Sequence, residues 1–187
     1  MIDIHIRDGN FFSDKKPVRA NPLFNWIWDR SPIDSDITVF SDSFIREVET
    51  SQSKIKIAWL IEPPVIDSFI YEYIKENYNL FDMVMTFDES LLSLSPKFRY
   101  YPYGTTWIEN KDRKVWDKTE SISAVFSNKK LSKGHAIRHS IYSGYKDQVT
   151  FFGDIDSNYI MNKIDGHKDY RFSLIVENWD GNSYFSE

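Results

Sequence analysis

The chain has 187 residues, 41% hydrophobic and 27% charged, with a formal net charge of −5, seven glycines, seven prolines and no cysteine. At roughly 100 to 200 residues per domain this length holds one domain or two small ones, and the balanced composition excludes a disordered, collagenous or low-complexity chain. The missing thiols exclude disulfide frameworks, thiolate zinc sites, iron–sulfur clusters and a cysteine nucleophile and lead us to expect a cytoplasmic protein, while the net acidity disfavours a general nucleic-acid partner.

The N-terminal MIDIHIRDGNFF lacks a basic-then-apolar leader pattern, and no window approaches about 18 uninterrupted apolar residues, so neither export nor a membrane segment is expected. A short β-branched or aromatic run followed by a longer segment of helical spacing recurs along the chain, the pattern of parallel βα units. IDIHI over residues 2–6 alternates strictly, ITVF over 37–40 is short and apolar, and IKIAWLI over 55–61 begins alternating and ends apolar; each predicts a strand. Ile66, Phe69, Ile70, Tyr73 and Ile74 recur at three and four, which predicts a helix over 66–78. FDMVMT over 81–86 predicts the next strand, Asp88 a cap for a short helix over 89–94, and residues 98–101 one more strand before a Pro-Tyr-Gly turn.

In ENKDRKVWDKTE over 109–120 the charge density rises and the apolar period disappears, which predicts a linker and divides the chain into domains 1–115 and 116–187. The βα rhythm then resumes with a strand over 122–127, a helix over 133–145 carrying Ile137, Ile141 and Tyr145, and a strand over 149–152. A short helix near 157–164 and a final strand over 172–176 follow. A parallel strand is normally followed by a crossover of a dozen or more residues, yet the eleven after Val176 are polar and aromatic. The expected fold is therefore α/β, with two Rossmann-like units on parallel sheets, the second incomplete and the chain a piece of a longer enzyme.

Residues 126–146 hold Lys129, Lys130, Lys133, Arg138 and Lys146 with no acidic residue. The segment SNKKLSKG leads from a strand into a helix N-terminus, where backbone N–H groups and the helix dipole favour an anion such as a diphosphate. Arg138, one turn into that helix, offers a bidentate phosphate contact. A solvated basic helix face accounts for the same residues, since a loop with so few glycines is neither a P-loop nor a dinucleotide fingerprint.

Glu62 follows an apolar strand and precedes Pro63-Pro64, so its carboxylate stands at the C-terminal end of a parallel strand, where α/β folds place ligands. Apolar neighbours would raise its pKa and suit a general base; a hydrogen-bonded Glu in a Pro-ordered turn is the alternative. Asp154-Ile155-Asp156 has the form of a carboxylate metal motif, but turn formation and capping explain it, and the four histidines show no metal-ligand spacing, so no metal site is expected. No Gly-X-Ser-X-Gly elbow supports nucleophilic hydrolysis. In the C-terminal run a strand delivers Glu177 and Asn178 to a sheet edge, and a Gly-containing turn presents Tyr184, Ser186 and Glu187. These are a ring to stack on a base or ribose and polar groups to bind sugar hydroxyls, or else groups that satisfy the backbone at a strand end.

YRFSLIVENWDGNSYFSE resembles the signature of the family 10 glycosyltransferases, the α1,3/α1,4-fucosyltransferases: Tyr-Lys-Phe-X-Leu-X-X-Glu-Asn, a short Gly-containing loop, then Tyr-Val-Thr-Glu-Lys. Tyr170, Phe172, Leu174, Glu177, Asn178, Tyr184, Ser186 and Glu187 match in order, with Arg171 in place of the Lys and Phe185 in place of the Val. Ser127-Asn128 followed by Arg138 is similar to the family's Ser-Asn…Arg element, and NLFDMVMTFDES over 79–90 to its Phe-Asp…Phe-Asp-Glu stretch, so the resemblance runs from about Lys54 onward. It implies a GT-B fold of two Rossmann-like domains facing across a cleft, inverting transfer from GDP-fucose to a glycan acceptor, and no obligatory metal or cofactor. It also implies Glu62 as the base, Arg138 on the donor diphosphate, and Asn178, Tyr184 and Glu187 on the nucleotide sugar, with Ser127, Asn128 and Glu177 in the same donor set. The family pattern continues with a Lys directly after that last Glu, so the resemblance implies truncation within the donor domain. Two functions are expected from these residues: a fucosyltransferase-like glycosyltransferase, or a non-catalytic sugar- or nucleotide-binding or interaction module.

Overall fold

The computed structural model describes residues 2–9, 17–21, 24–28, 35–102, 108–181 and 183–185. The apolar runs of the first half pair side by side as β1 (Ile2–Arg7), β2 (Pro17–Asn21), β3 (Phe24–Trp28), β4 (Ile37–Ser41), β5 (Ile55–Trp59), β6 (Met83–Thr86) and β7 (Phe98–Tyr100). They form one seven-stranded sheet in the order β2-β3-β1-β4-β5-β6-β7. Every pairing is parallel except β2 with β3, whose register shifts between Val18 and Asn21. β2 and β3 were not expected from the sequence.

Parallel neighbours need crossovers, and the sequence supplies them as a 3-10 helix (Asp42–Glu49), α1 (Ser68–Asn77) and α2 (Glu89–Leu92). α1 starts where Asp67 Oδ1 accepts from the Ile70 N–H at 3.3 Å, and α2 where Asp88 Oδ1 accepts from Ser90 N at 2.8 Å. Ile45 and Val48 stand three apart on the 3-10 helix and join Phe40, Ala58, Leu60, Ile70, Ile74, Phe81, Val84 and Phe98 in a buried cluster. Each of the larger of these side chains contributes about 1.5–3 kcal/mol on full burial. At the last residue of β1, the Arg7 guanidinium lies 5.0 Å from the Phe44 ring, and its Nε donates to Glu47 Oε2 at 2.8 Å.

The second half builds a smaller α/β layer. β8 (Glu120–Val125), β9 (Thr150–Phe152) and β10 (Tyr170–Ser173) pair in parallel in the order β10-β8-β9, with α3 (Lys133–Tyr145) crossing from β8 to β9. Ala124, Phe126, Val149 and Phe151 form its buried centre, with Ile141 and Tyr142 of α3 packed against them. The short helix expected near 157–164 is a 3-10 turn at Lys163–Gly166. The final strand begins and ends earlier than expected and is not buried: Phe172 is 65% exposed, the strand ends at Ser173 with Leu174 N still donating to Ser123 O at 2.8 Å, and by Val176 the backbone carbonyl is held by Arg138 of α3 instead. The chain divides into compact units Met1–Tyr103 and Gly104–Glu187, whereas the sequence reading put the division at 115/116. Among the described residues no helix is long and apolar enough to cross a membrane.

Candidate functional site

In the second unit, the C-terminal ends of all three strands open on the same side as the start of α3. Ligand-binding crevices of open parallel sheets lie at such edges. A cavity of about 710 Å³ stands here, lined by Phe126 and Ser127 after β8, Gly153 and Asp154 after β9, residues 174–176 and Asn178 after β10, and His135 and Arg138 from α3. Lys129, Lys163 and His167 complete its polar wall, so among the described residues three side chains cationic at neutral pH face a single carboxylate, Asp154.

Local chemistry fixes this wall. Ser132 caps α3 by accepting the His135 N–H at 3.2 Å, and the same Oγ lies 2.8 Å from His135 Nδ1. The imidazole is 2% exposed, and burial first, then the charges of Arg138, Lys129 and His139, lower its pKa from the usual histidine value. Arg138 donates from Nε to the Val176 carbonyl at 2.9 Å and a second time from Nη2, while its guanidinium lies 5.7 Å from the Phe126 ring. Gly153, at φ +93°, turns the chain where a Cβ would lie 2.5 Å from the Phe126 carbonyl oxygen. Asn178 Oδ1 is buried without a hydrogen-bond partner among the described residues.

Of the residues expected from the sequence, Ser127, Arg138 and Asn178 therefore meet in one cavity. Asn128 is exposed and outside its lining, and Glu177 is half-buried with its carbonyl against Gly134. Tyr184 is 4% exposed, with its ring 6.1 Å from that of Trp179 in an edge-to-face contact, so this ring is covered by the protein itself. Glu187 and Ser186 lie outside the described residues. Asp156 accepts from the Tyr142 hydroxyl at 2.6 Å, and no cluster of three metal-ligating side chains occurs among the described residues.

Glu62 belongs to the first unit. β5 stops at Trp59; Leu60 N still reaches Met85 O at 3.0 Å, but the next two amides, Ile61 and Glu62, donate to Asp42 Oδ1 at 2.9 and 3.2 Å. The Glu62 carbonyl accepts from the Tyr71 hydroxyl at 2.9 Å, so its backbone is held from both sides. Asp42 is 5% exposed at φ +42°, and its carboxyl is pushed up to about 7 by burial, against the two amides and with repulsion from Glu62 and Asp67.

No family model, no curated protein and no solved structure matches this chain. The case for a function thus rests on the residues themselves. Sequence reasoning missed Asp42, although a carboxylate directly after the ITVFS strand satisfies the rule that singled out Glu62. It also gave His135 no role, because spacing alone tests a histidine as a metal ligand and says nothing of burial against a cavity.

Proposed function

We propose that this chain is a glycosyltransferase of the inverting fucosyltransferase type, of GT-B architecture, whose second unit binds a nucleotide sugar such as GDP-fucose. The observation that carries the reading is the cavity at the strand ends, which gathers Ser127, Arg138 and Asn178 beside Lys129 and Lys163. A diphosphate suits this wall: charge-assisted contacts from Arg138 and the lysines and the dipole of a thirteen-residue helix all favour a dianion. Asn178, which lines the same cavity, supplies a polar side chain for the sugar hydroxyls of the ligand. In the transfer step Glu62 takes the proton of the acceptor hydroxyl as that oxygen bonds to the anomeric carbon. The carbon–oxygen bond to the diphosphate breaks in line, and its electron pair leaves with the nucleoside diphosphate.

Titration calorimetry with GDP-fucose tests the reading. Wild type is expected to bind, and Arg138→Ala to bind about ten- to hundred-fold more weakly, the cost of one charge-assisted contact. Glu62→Gln is expected to keep donor binding and lose transfer to a glycan acceptor. Absence of binding by wild type at millimolar donor overturns the proposal.

A further inference from the structure

His135 stands apart from the other polar groups of the cavity in being almost fully buried while still lining it. Its hydrogen bonding is one-sided. Nδ1 is held by Ser132 Oγ at 2.8 Å, and among the described residues Nε2 has no hydrogen-bond partner. An imidazole that lines a polar cavity and has one ring nitrogen without a protein partner leaves that nitrogen for the ligand. Ser132 Oγ donates to a neutral Nδ1 and accepts from a protonated one, so the same contact serves imidazole and imidazolium.

The surrounding charges give the direction of titration. Lys129 on the approach to α3, Arg138 and His139 on α3, and Lys163 and His167 across the cavity are cationic or become so on protonation, while Asp154 after β9 is the one carboxylate among the described lining residues. Before an anion enters, these cations and burial disfavour the imidazolium; an anion placed against Nε2 reverses both effects.

We propose that His135 is a further ligand-binding residue of this cavity, meeting the anionic diphosphate through Nε2 and taking a proton from solvent as that ligand enters. The inference rests on the donor reading above and adds to it a residue and a pH dependence. Binding is then strongest on the acid side of neutrality and weakens as pH rises.

GDP-fucose is a suitable probe because its diphosphate diester has no group titrating near neutrality, so proton uptake reports on the protein. Calorimetry at about pH 7 in two buffers of different ionisation enthalpy is expected to show between zero and one proton taken up per GDP-fucose bound. Affinity is expected to fall about tenfold from about pH 6 to about pH 8.5, the effect of a pKa that rises by roughly one unit on binding. His135→Gln, which keeps an N–H donor, is expected to match wild type within about twofold at the alkaline end and to take up no proton. His5→Gln, in the first unit and outside this cavity, is expected to keep the uptake. Binding without uptake, or uptake that survives in His135→Gln, overturns this inference and leaves the donor reading standing. Failure of wild type to bind at either pH overturns both. Should His135→Gln not fold, carbon-resolved NMR titration of the wild-type imidazoles decides: the His135 midpoint is expected to move upward with GDP-fucose, and an unmoved midpoint refutes the role.

Discussion

Asp42 carries the largest single electrostatic conflict described in the first unit. Its carboxylate is needed as the acceptor for the Ile61 and Glu62 amides, yet it is buried and faces repulsion from Glu62 and Asp67. The folded value of about 7 stands above the ordinary 3.8, so between these values the folded protein holds a proton that the unfolded chain has released. Stability therefore falls as pH rises through this window and levels off above it. At about 1.4 kcal/mol per unit, the loss amounts to at most ~4 kcal/mol. Asp42→Asn keeps an acceptor, tolerates positive φ and does not titrate, so its urea midpoint is expected to gain on that of wild type steadily from about pH 5 to about pH 7. Parallel curves across that range contradict the account. Neither the burial nor the φ of Asp42 was legible in the sequence, because both arise only when the 3-10 helix folds back over the ends of β4 and β5. Glu62 was legible as a strand-end carboxylate, while the two hydrogen bonds that hold its backbone were not.

The elements that sequence periodicity identified mostly supply the core: β4, β5 and β6 by their apolar runs and α1 by its repeat at three and four, whereas of the α3 residues Ile137, Ile141 and Tyr145 only Ile141 packs on the core and the other two are exposed. β2 and β3 escaped because a strand beginning at Pro17 and shifting register before Asn21 has no clean alternation, and the partners that define it lie elsewhere in the chain. β10 was misplaced for a related reason. Its apolar letters continue to Val176, but the Val176 carbonyl is taken by Arg138 and the Glu177 carbonyl packs on α3, so the backbone leaves the ladder. The seam between α3 and residues 176–178 predicts opposite outcomes at two glycines of one helix. A Cβ on Gly134 would lie 1.9 Å from the Glu177 carbonyl oxygen, a backbone atom, whereas one on Gly144 meets nothing within 4 Å. Gly144→Ala is expected to stabilise by about 0.5–1 kcal/mol through helix propensity. Gly134→Ala is expected to cost roughly 1–3 kcal/mol despite the same propensity gain, because the seam must open. Thermal melts that rank the two variants in the other order would show that the seam is looser than described.

The two units differ in how much of their apolar surface they bury. Among the described residues, the first gathers twelve buried side chains in one cluster under its sheet, and the second gathers four under a three-stranded one. The second also leaves large apolar groups in the open: Met161 is 99% exposed, Tyr159 70%, Phe172 65% and Ile175 63%. Hydrophobic burial is the main term that offsets chain entropy, and three strands with one covering helix stand near the lower limit for independent stability. Unfolding is therefore expected to proceed in two steps, with β8, β9 and β10 opening before β4, β5 and β6. Native-state hydrogen exchange separates the possibilities by residue. The amides of Ala124, Val125 and Phe151 are expected to exchange with a smaller opening free energy than those of Val39, Ala58 and Val84, even though both groups lie in the middle of parallel ladders. If the proposed donor site is real, saturating GDP-fucose raises protection in the second group of strands, because the ligand binds only their folded form, and leaves β4, β5 and β6 unchanged. Equal protection in both units without ligand would mean that the smaller core is as stable as the larger, and the inference from buried surface to stability order would fail for this chain.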